Sequence, residues 1–177
     1  MTGQSLWAPW RLDYIVTSDN DDGCFLCRYR DADPTDDSRQ LVIARGEHTM
    51  TMLNRFPYNN GHLLVAPREH VGDLVDLDPA VVTECVEQLQ HWTRRLRETM
   101  APHGFNIGLN LGRVAGAGLP GHLHWHIVPR WEGDTNFMPV LGNPSVIPQS
   151  LDSLFELLTA DQPPDEVTGG FPPDPPL

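Results

Sequence analysis

The chain has 177 residues, 40% of them apolar, which is enough for one domain with its own core. A net charge of −12 and a pI near 4.8 argue against a nucleic acid polymer or an anionic membrane as partner, because both would repel it. All 12 basic residues are arginine, so Schiff-base lysine chemistry and a Walker A loop are excluded, and phosphate contacts fall to arginine, histidine or backbone N–H groups.

At the N-terminus, MTGQSLWAPW lacks a basic start and an apolar run, which predicts no signal peptide. No apolar stretch approaches the ~20 residues of a membrane span. Three cysteines, Cys24, Cys27 and Cys85, are an odd, small set, and the expectation is a reducing, cytoplasmic setting without a disulfide framework. Residues 17–39 are acidic and turn-rich and predict a loop pinned at the Cys24–Cys27 pair.

From residue 41 the pattern changes to strands. LVIAR and HTMTMLN, broken at Gly46-Glu47, predict a hairpin, and HLLVAP a further strand ended by Pro67. Asp78 as N-cap and Pro79 at the first helical position open a long helix. Its apolar stripe is Val82, Cys85/Val86, Leu89, Trp92/Thr93, Leu96 and Met100, and it stops at Pro102, His103 and Gly104. Cys85 reads as a core residue of that stripe. FNIGLNL and HLHWHIVPR predict two more strands around the glycine-rich loop GRVAGAGLPG, and a shorter helix covers about 149–160 from Ser150. The whole predicts an α+β domain over 1–160, an antiparallel sheet of about five strands crossed by one long helix. A mobile tail rich in proline, glycine and acid follows at 161–177.

His122, His124 and His126 alternate with Leu123, Trp125 and Ile127. On a strand the imidazoles share one face, ~6.5 to 7 Å apart, and the apolar residues share the other. Packing does not account for three imidazoles on one face. They can serve as ligands of a catalytic zinc, although alternate positions spread them widely for a shell of ~2.0–2.1 Å. The better reading makes the middle imidazole a nucleophile, with its neighbours orienting it and handling protons.

HLHWHIV resembles the signature of the histidine-triad (HIT) superfamily. RFPYNNGHLLVAPREHV and HGFNIGLNLG resemble two further blocks of that family. LWAPWRLDYI, CFLC and VPRW resemble its diadenosine tetraphosphate phosphorylase-like branch. The likeness runs over about residues 6–160. It implies a HIT-like fold and a nucleotidyl-histidine intermediate on His124, whose other ring nitrogen is held by a backbone carbonyl. His126 then contacts phosphate and assists the leaving group. The likeness also places Asn110 near phosphate, Asn54 at the ribose, and Gly116 and Gly118 in a loop offering backbone N–H groups. His62 is either a structural hydrogen-bonding residue or a substrate contact, and Trp131 either shapes a second nucleotide's pocket or is core cover. Many relatives carry serine or glutamine three or four residues before the first triad histidine; here Leu119 and Gly118 stand there, so backbone donors or Arg113 must compensate.

The C-x-x-C knuckle lacks a thioredoxin-like βαβ setting, which weakens a redox reading. Similarity to bacterial HIT proteins and galactose-1-phosphate uridylyltransferases implies a structural zinc on Cys24, Cys27, His70 and His122. The family also implies a homodimer with a continuous sheet. The expected function is nucleotidyl, chiefly adenylyl, transfer or hydrolysis on dinucleoside polyphosphates. The alternatives are a nucleoside phosphoramidate hydrolase, a nucleotide-binding protein with little catalysis, or, last, a zinc hydrolase using the triad as ligands.

Overall fold

A computed structural model describes residues 23–134 and 147–160. The LWAPWRLDYI block, the first part of the acidic segment and the tail at 161–177 lie outside the described residues. The described residues form five strands, β1 (Val42–Arg45), β2 (Thr49–Leu53), β3 (Leu63–Pro67), β4 (Gly104–Leu109) and β5 (Trp125–Arg130). Among the described residues four helices accompany them: α1 (Phe25–Asp31), α2 (Asp37–Gln40), α3 (Pro79–Met100) and α4 (Leu151–Thr159). The strands make one antiparallel sheet in the order β1-β2-β3-β5-β4, so the α+β expectation and the strand count hold.

Both helix starts follow from their caps. Asp78 accepts the Ala80 N–H ahead of Pro79, and Ser150 accepts the Ser153 N–H ahead of α4. The stop of α3 differs from expectation. Ala101, not Gly104, takes the left-handed conformation, at φ 46°, and its N–H closes on the Arg97 carbonyl. One stripe residue is also displaced: Val81 is buried, whereas Val86 is exposed, because the helix presents its Val81–Cys85–Trp92–Leu96 edge to the sheet.

The sheet's two faces have different cover. On one, Leu53, Leu63, Val65, Trp125 and Ile127 pack under α3 and α4 with Trp92, Leu96, Leu154 and Leu158. Glu84 ties α3 to the β1–β2 turn by accepting the N–H groups of His48 and Thr49. On the other face, Val42, Met50, Met52, Leu64 and Ala66 receive Leu26 of α1. The acidic segment is therefore not a loop in its described part. It folds into α1, a 3-10 turn (Pro34–Asp36) and α2, because Leu26 has an apolar sheet face to bury against. Arg45 holds this layer down, donating to the Asp37 carboxylate and to the Tyr29 and Arg30 carbonyls. Past the end of α1 that same face continues over β5, and there it carries imidazoles. Among the described residues no helix is long and apolar enough to cross a membrane.

Candidate active site

The triad does not ride on one strand. β5 begins at Trp125, so only His126 lies in it, paired with Leu64 of β3 and Gly108 of β4. Residues 122–124 form a segment tied elsewhere: the Leu123 N–H donates to the Val71 carbonyl at 2.7 Å, and the His122 N–H to the Leu119 carbonyl. Gly72 permits that tie, since a Cβ there would stand 2.9 Å from the Pro120 carbonyl oxygen. Leu123, Trp125 and Ile127 still bury into the α3 side, as alternation predicts. The histidines, freed from strand pairing at 122 and 124, separate into two settings.

His122 is fully buried and faces the cysteines. Its Nε2–H donates to the Pro67 carbonyl at 2.8 Å, so the Nδ1 lone pair is turned toward Cys24 Sγ at 3.1 Å and Cys27 Sγ at 3.6 Å. His70 Nδ1 lies 3.2 Å from Cys27 Sγ. The ligand atoms of Cys24, Cys27, His70 and His122 all fall within 4.8 Å of one another. A zinc tetrahedron with ordinary Zn–S and Zn–N lengths has edges of about 3.3–3.8 Å, close to these separations. Two thiols and two imidazole nitrogens with lone pairs converging, one imidazole fixed by a carbonyl behind it, fit that ion. The pair itself sits at a helix start, where Cys24 is the N-cap of α1 and its sulfur accepts the Cys27 N–H. Burial pushes the Cys24 thiol up from its ordinary value.

On the other side, His124 donates its Nδ1–H to the His122 carbonyl at 2.9 Å, which places its lone pair on Nε2. Burial lowers its proton affinity more than that hydrogen bond raises it, so the ring is neutral near pH 7. Its ring meets His126 edge-on, with centroids 5.0 Å apart. Behind His126 stands His62, 1% exposed. The Tyr58 N–H donates to His62 Nδ1 at 3.0 Å, so neutral His62 carries its proton on Nε2 and donates it to His126 Nδ1 at 2.9 Å. His126 in turn carries its own proton on Nε2. Burial and the neighbouring imidazoles push His62 down to about 3, which keeps it neutral. Gly61 sets this residue in place at φ 74°, where a Cβ would press on Met100 and Pro129.

The remaining sequence-derived positions are less concentrated. The Asn54 side-chain oxygen accepts the Phe56 N–H, and its Nδ2 lies 3.3 Å from His62 Nδ1, so the amide braces the loop and the imidazole. Asn110 follows the end of β4, which stops at Leu109 instead of 111. Gly116 is left-handed at φ 94° and closes the 3-10 turn Arg113–Ala115; Gly118 follows it in the same loop, and Arg113 is exposed. Leu119 packs against the Leu26–Met50 cluster, which gives its apolar side chain a place in the core. Trp131 is half-buried and opens a turn in which its N–H donates to Asp134. Sequence reading passed over Tyr58, whose ring lies 5.9 Å from His126 at an interplanar angle of 21°. The PYNNGH run was its only signal.

Comparison with known proteins agrees with this geometry. The HIT domain family model matches residues 35–133. An AP-4-A phosphorylase of Mycobacterium tuberculosis is 39% identical over 163 residues, covering 89% of this chain and 84% of that protein. A zinc-bound histidine triad family protein from Mycobacterium smegmatis superposes with a TM-score of 0.61 at 28% identity, over 78% of this chain and 91% of that one. A diadenosine triphosphate hydrolase of Plasmodium falciparum shares the fold, with a TM-score of 0.56 at 18% identity over 68% of this chain and 74% of that one. The order of the imidazoles, the fold that carries them and these relatives agree: the chain belongs to the HIT family and resembles its AP-4-A phosphorylase branch.

Proposed function

We propose that this HIT-family enzyme transfers a nucleotidyl group, chiefly adenylyl, from a dinucleoside polyphosphate to phosphate or water through a covalent intermediate on His124. The carrying observation is the 2.9 Å bond from His124 Nδ1–H to the His122 carbonyl, which leaves Nε2 as the nucleophilic atom of a neutral ring. Nε2 forms a bond to the α-phosphorus as the bond from phosphorus to the leaving oxygen breaks. His126 donates its Nε2–H in a hydrogen bond that stabilises the charge on that oxygen, which leaves as a phosphate anion, and His62 holds His126 in the tautomer that can do so. An acceptor oxygen then attacks phosphorus as the bond to His124 Nε2 breaks; phosphate attacks as an anion, and water releases its proton to solvent.

Asn54, Asn110, Gly116, Gly118 and Trp131 are assigned to the ribose, the phosphates and the second nucleotide. The left-handed Gly116 turns this loop, with its own N–H committed to the Arg113 carbonyl. Cys24, Cys27, His70 and His122 are assigned to a structural zinc that would brace α1 against the triad segment. The exposed edge strand β4, where Ile107 is 46% exposed, supports a homodimer with a continuous sheet. A cytoplasmic setting fits free thiols at the knuckle.

One observation favours a second reading, nucleoside phosphoramidate hydrolysis. Leu119 is committed to apolar packing, so that position offers no side-chain donor to a polyphosphate. Incubation with diadenosine tetraphosphate, with and without phosphate, separates the readings. ADP plus ATP formed only with phosphate marks a phosphorylase. AMP plus ATP, or two ADP, without phosphate marks a hydrolase. Turnover of an AMP-phosphoramidate alone supports the second reading, and turnover of neither substrate leaves nucleotide binding as the function.

A further inference from the structure

Tyr58, in the PYNNGH run, lies against the reaction centre without a part in the transfer chemistry. Its ring is 51% exposed, yet it lies over two buried or active imidazoles. It stacks on His126 with centroids 5.9 Å apart and planes 21° apart, and it meets His62 at 4.7 Å and 38°. Its backbone N–H is the donor that fixes the tautomer of His62. The loop carrying it is itself braced. Asn54 accepts the Phe56 N–H on one side of it, while on the other the Asn59 Nδ2 donates to the Pro129 carbonyl and to Asp134.

We propose that Tyr58 is a positioning residue of the reaction centre, its ring clamping the His126 imidazole in the orientation where Nδ1 meets His62 and the Nε2 proton is presented to the leaving oxygen. Three contacts limit an imidazole in the ring-flip and tilt directions. His62 restrains the Nδ1 end, His124 meets one edge, and the Tyr58 face restrains tilt out of plane. The hydroxyl takes no part in this, so the ring and not the phenol is required.

The proposal rests on the nucleotidyl-transfer reading and is tested by Tyr58→Phe, Tyr58→Leu and Tyr58→Ala in the full chain. With diadenosine tetraphosphate, Tyr58→Ala and Tyr58→Leu lower kcat about ten- to a hundredfold while KM moves less than about threefold; Tyr58→Phe stays within about twofold of wild type. The nitrogen-15 ring signals of His126 and His62 in the substrate-free protein supply an independent readout. The wild-type and Phe proteins show one tautomer at His126, and the Ala protein shows averaged Nδ1 and Nε2 signals. An Ala variant with wild-type kcat overturns the proposal, as does one with raised KM alone and unaltered His126 signals, which would make Tyr58 a substrate contact. If the wild-type protein turns over neither the dinucleotide nor a phosphoramidate, the nucleotidyl-transfer reading falls. The ring-nitrogen signals still decide whether Tyr58 holds His126.

Discussion

Two regions of the same sheet face, a few residues apart in sequence, do opposite things with histidine. On the β3 side, His122 and His70 converge with two thiols into a closed, four-membered donor set whose imidazole is anchored from behind by the Pro67 carbonyl. On the β5 side, His62, His126 and His124 form an open series whose tautomers are dictated by the Tyr58 N–H at His62, by His62 at His126 and by the His122 carbonyl at His124. The difference teaches that a histidine's role is set by what occupies its second nitrogen. A carbonyl behind His122 turns a lone pair toward sulfur; a carbonyl behind His124 turns one toward the substrate side. The two regions share one atom, the His122 carbonyl, and through it any brace on His122 also steadies His124.

Breaking the open series should stop turnover and leave the fold intact. His124→Ala is expected to lower kcat by at least about 10⁴-fold with diadenosine tetraphosphate while the thermal melt hardly moves; a variant that keeps full activity removes the nucleophile assignment. Next, His126→Ala should lower kcat about 10²–10³-fold, and a less basic leaving group, which needs less stabilisation of its charge, should recover most of that loss.

Breaking the closed set should do the reverse. Cys24→Ser with Cys27→Ser is expected to abolish stoichiometric zinc in metal analysis and lower the melting temperature by about 10 °C or more. Below that new melting point kcat should fall less than about tenfold. Purified wild-type protein without zinc, with both thiols freely titratable, would end the metal assignment.

A smaller effect sharpens the contrast through pH. His62 is held down to about 3 when folded, whereas an exposed imidazole titrates near ~6.5. The unfolded chain therefore binds a proton at His62 that the folded chain refuses. Its contribution to stability is complete above about pH 6.5 and declines as pH falls through the window down to about 3. At pH 5 the loss is about 2 kcal/mol, and denaturant midpoints of wild type and His62→Gln should differ in slope over that range. The smallest change expected is at Leu119. Leu119→Ser, which puts a side-chain donor in the loop before the triad, should destabilise by about 1–2 kcal/mol through lost packing on Leu26 and Met50. A rise in turnover of dinucleoside polyphosphates in that variant would show that the polar side chain had been the missing phosphate ligand.

Much of this protein is determined by local sequence. Asp78-Pro79 and Ser150 specify two helix starts because caps act within one turn. The alternation of Leu123, Trp125 and Ile127 specifies a core-facing edge because a side chain's direction follows its neighbours' backbone. The order of motifs identifies the family. Tertiary structure alone decided the rest. The Cys24–Cys27 pair stands at the start of a helix and not in a loop, because Leu26 finds an apolar sheet face made by residues far along the chain. His122 and His124 leave the strand because Leu123 is bonded to Val71, a pairing that no periodicity encodes. Which nitrogen of each imidazole bears the proton depends on partners up to 64 residues away, as His62 and His126 show, and so the chemistry of the triad is written in contacts between distant segments.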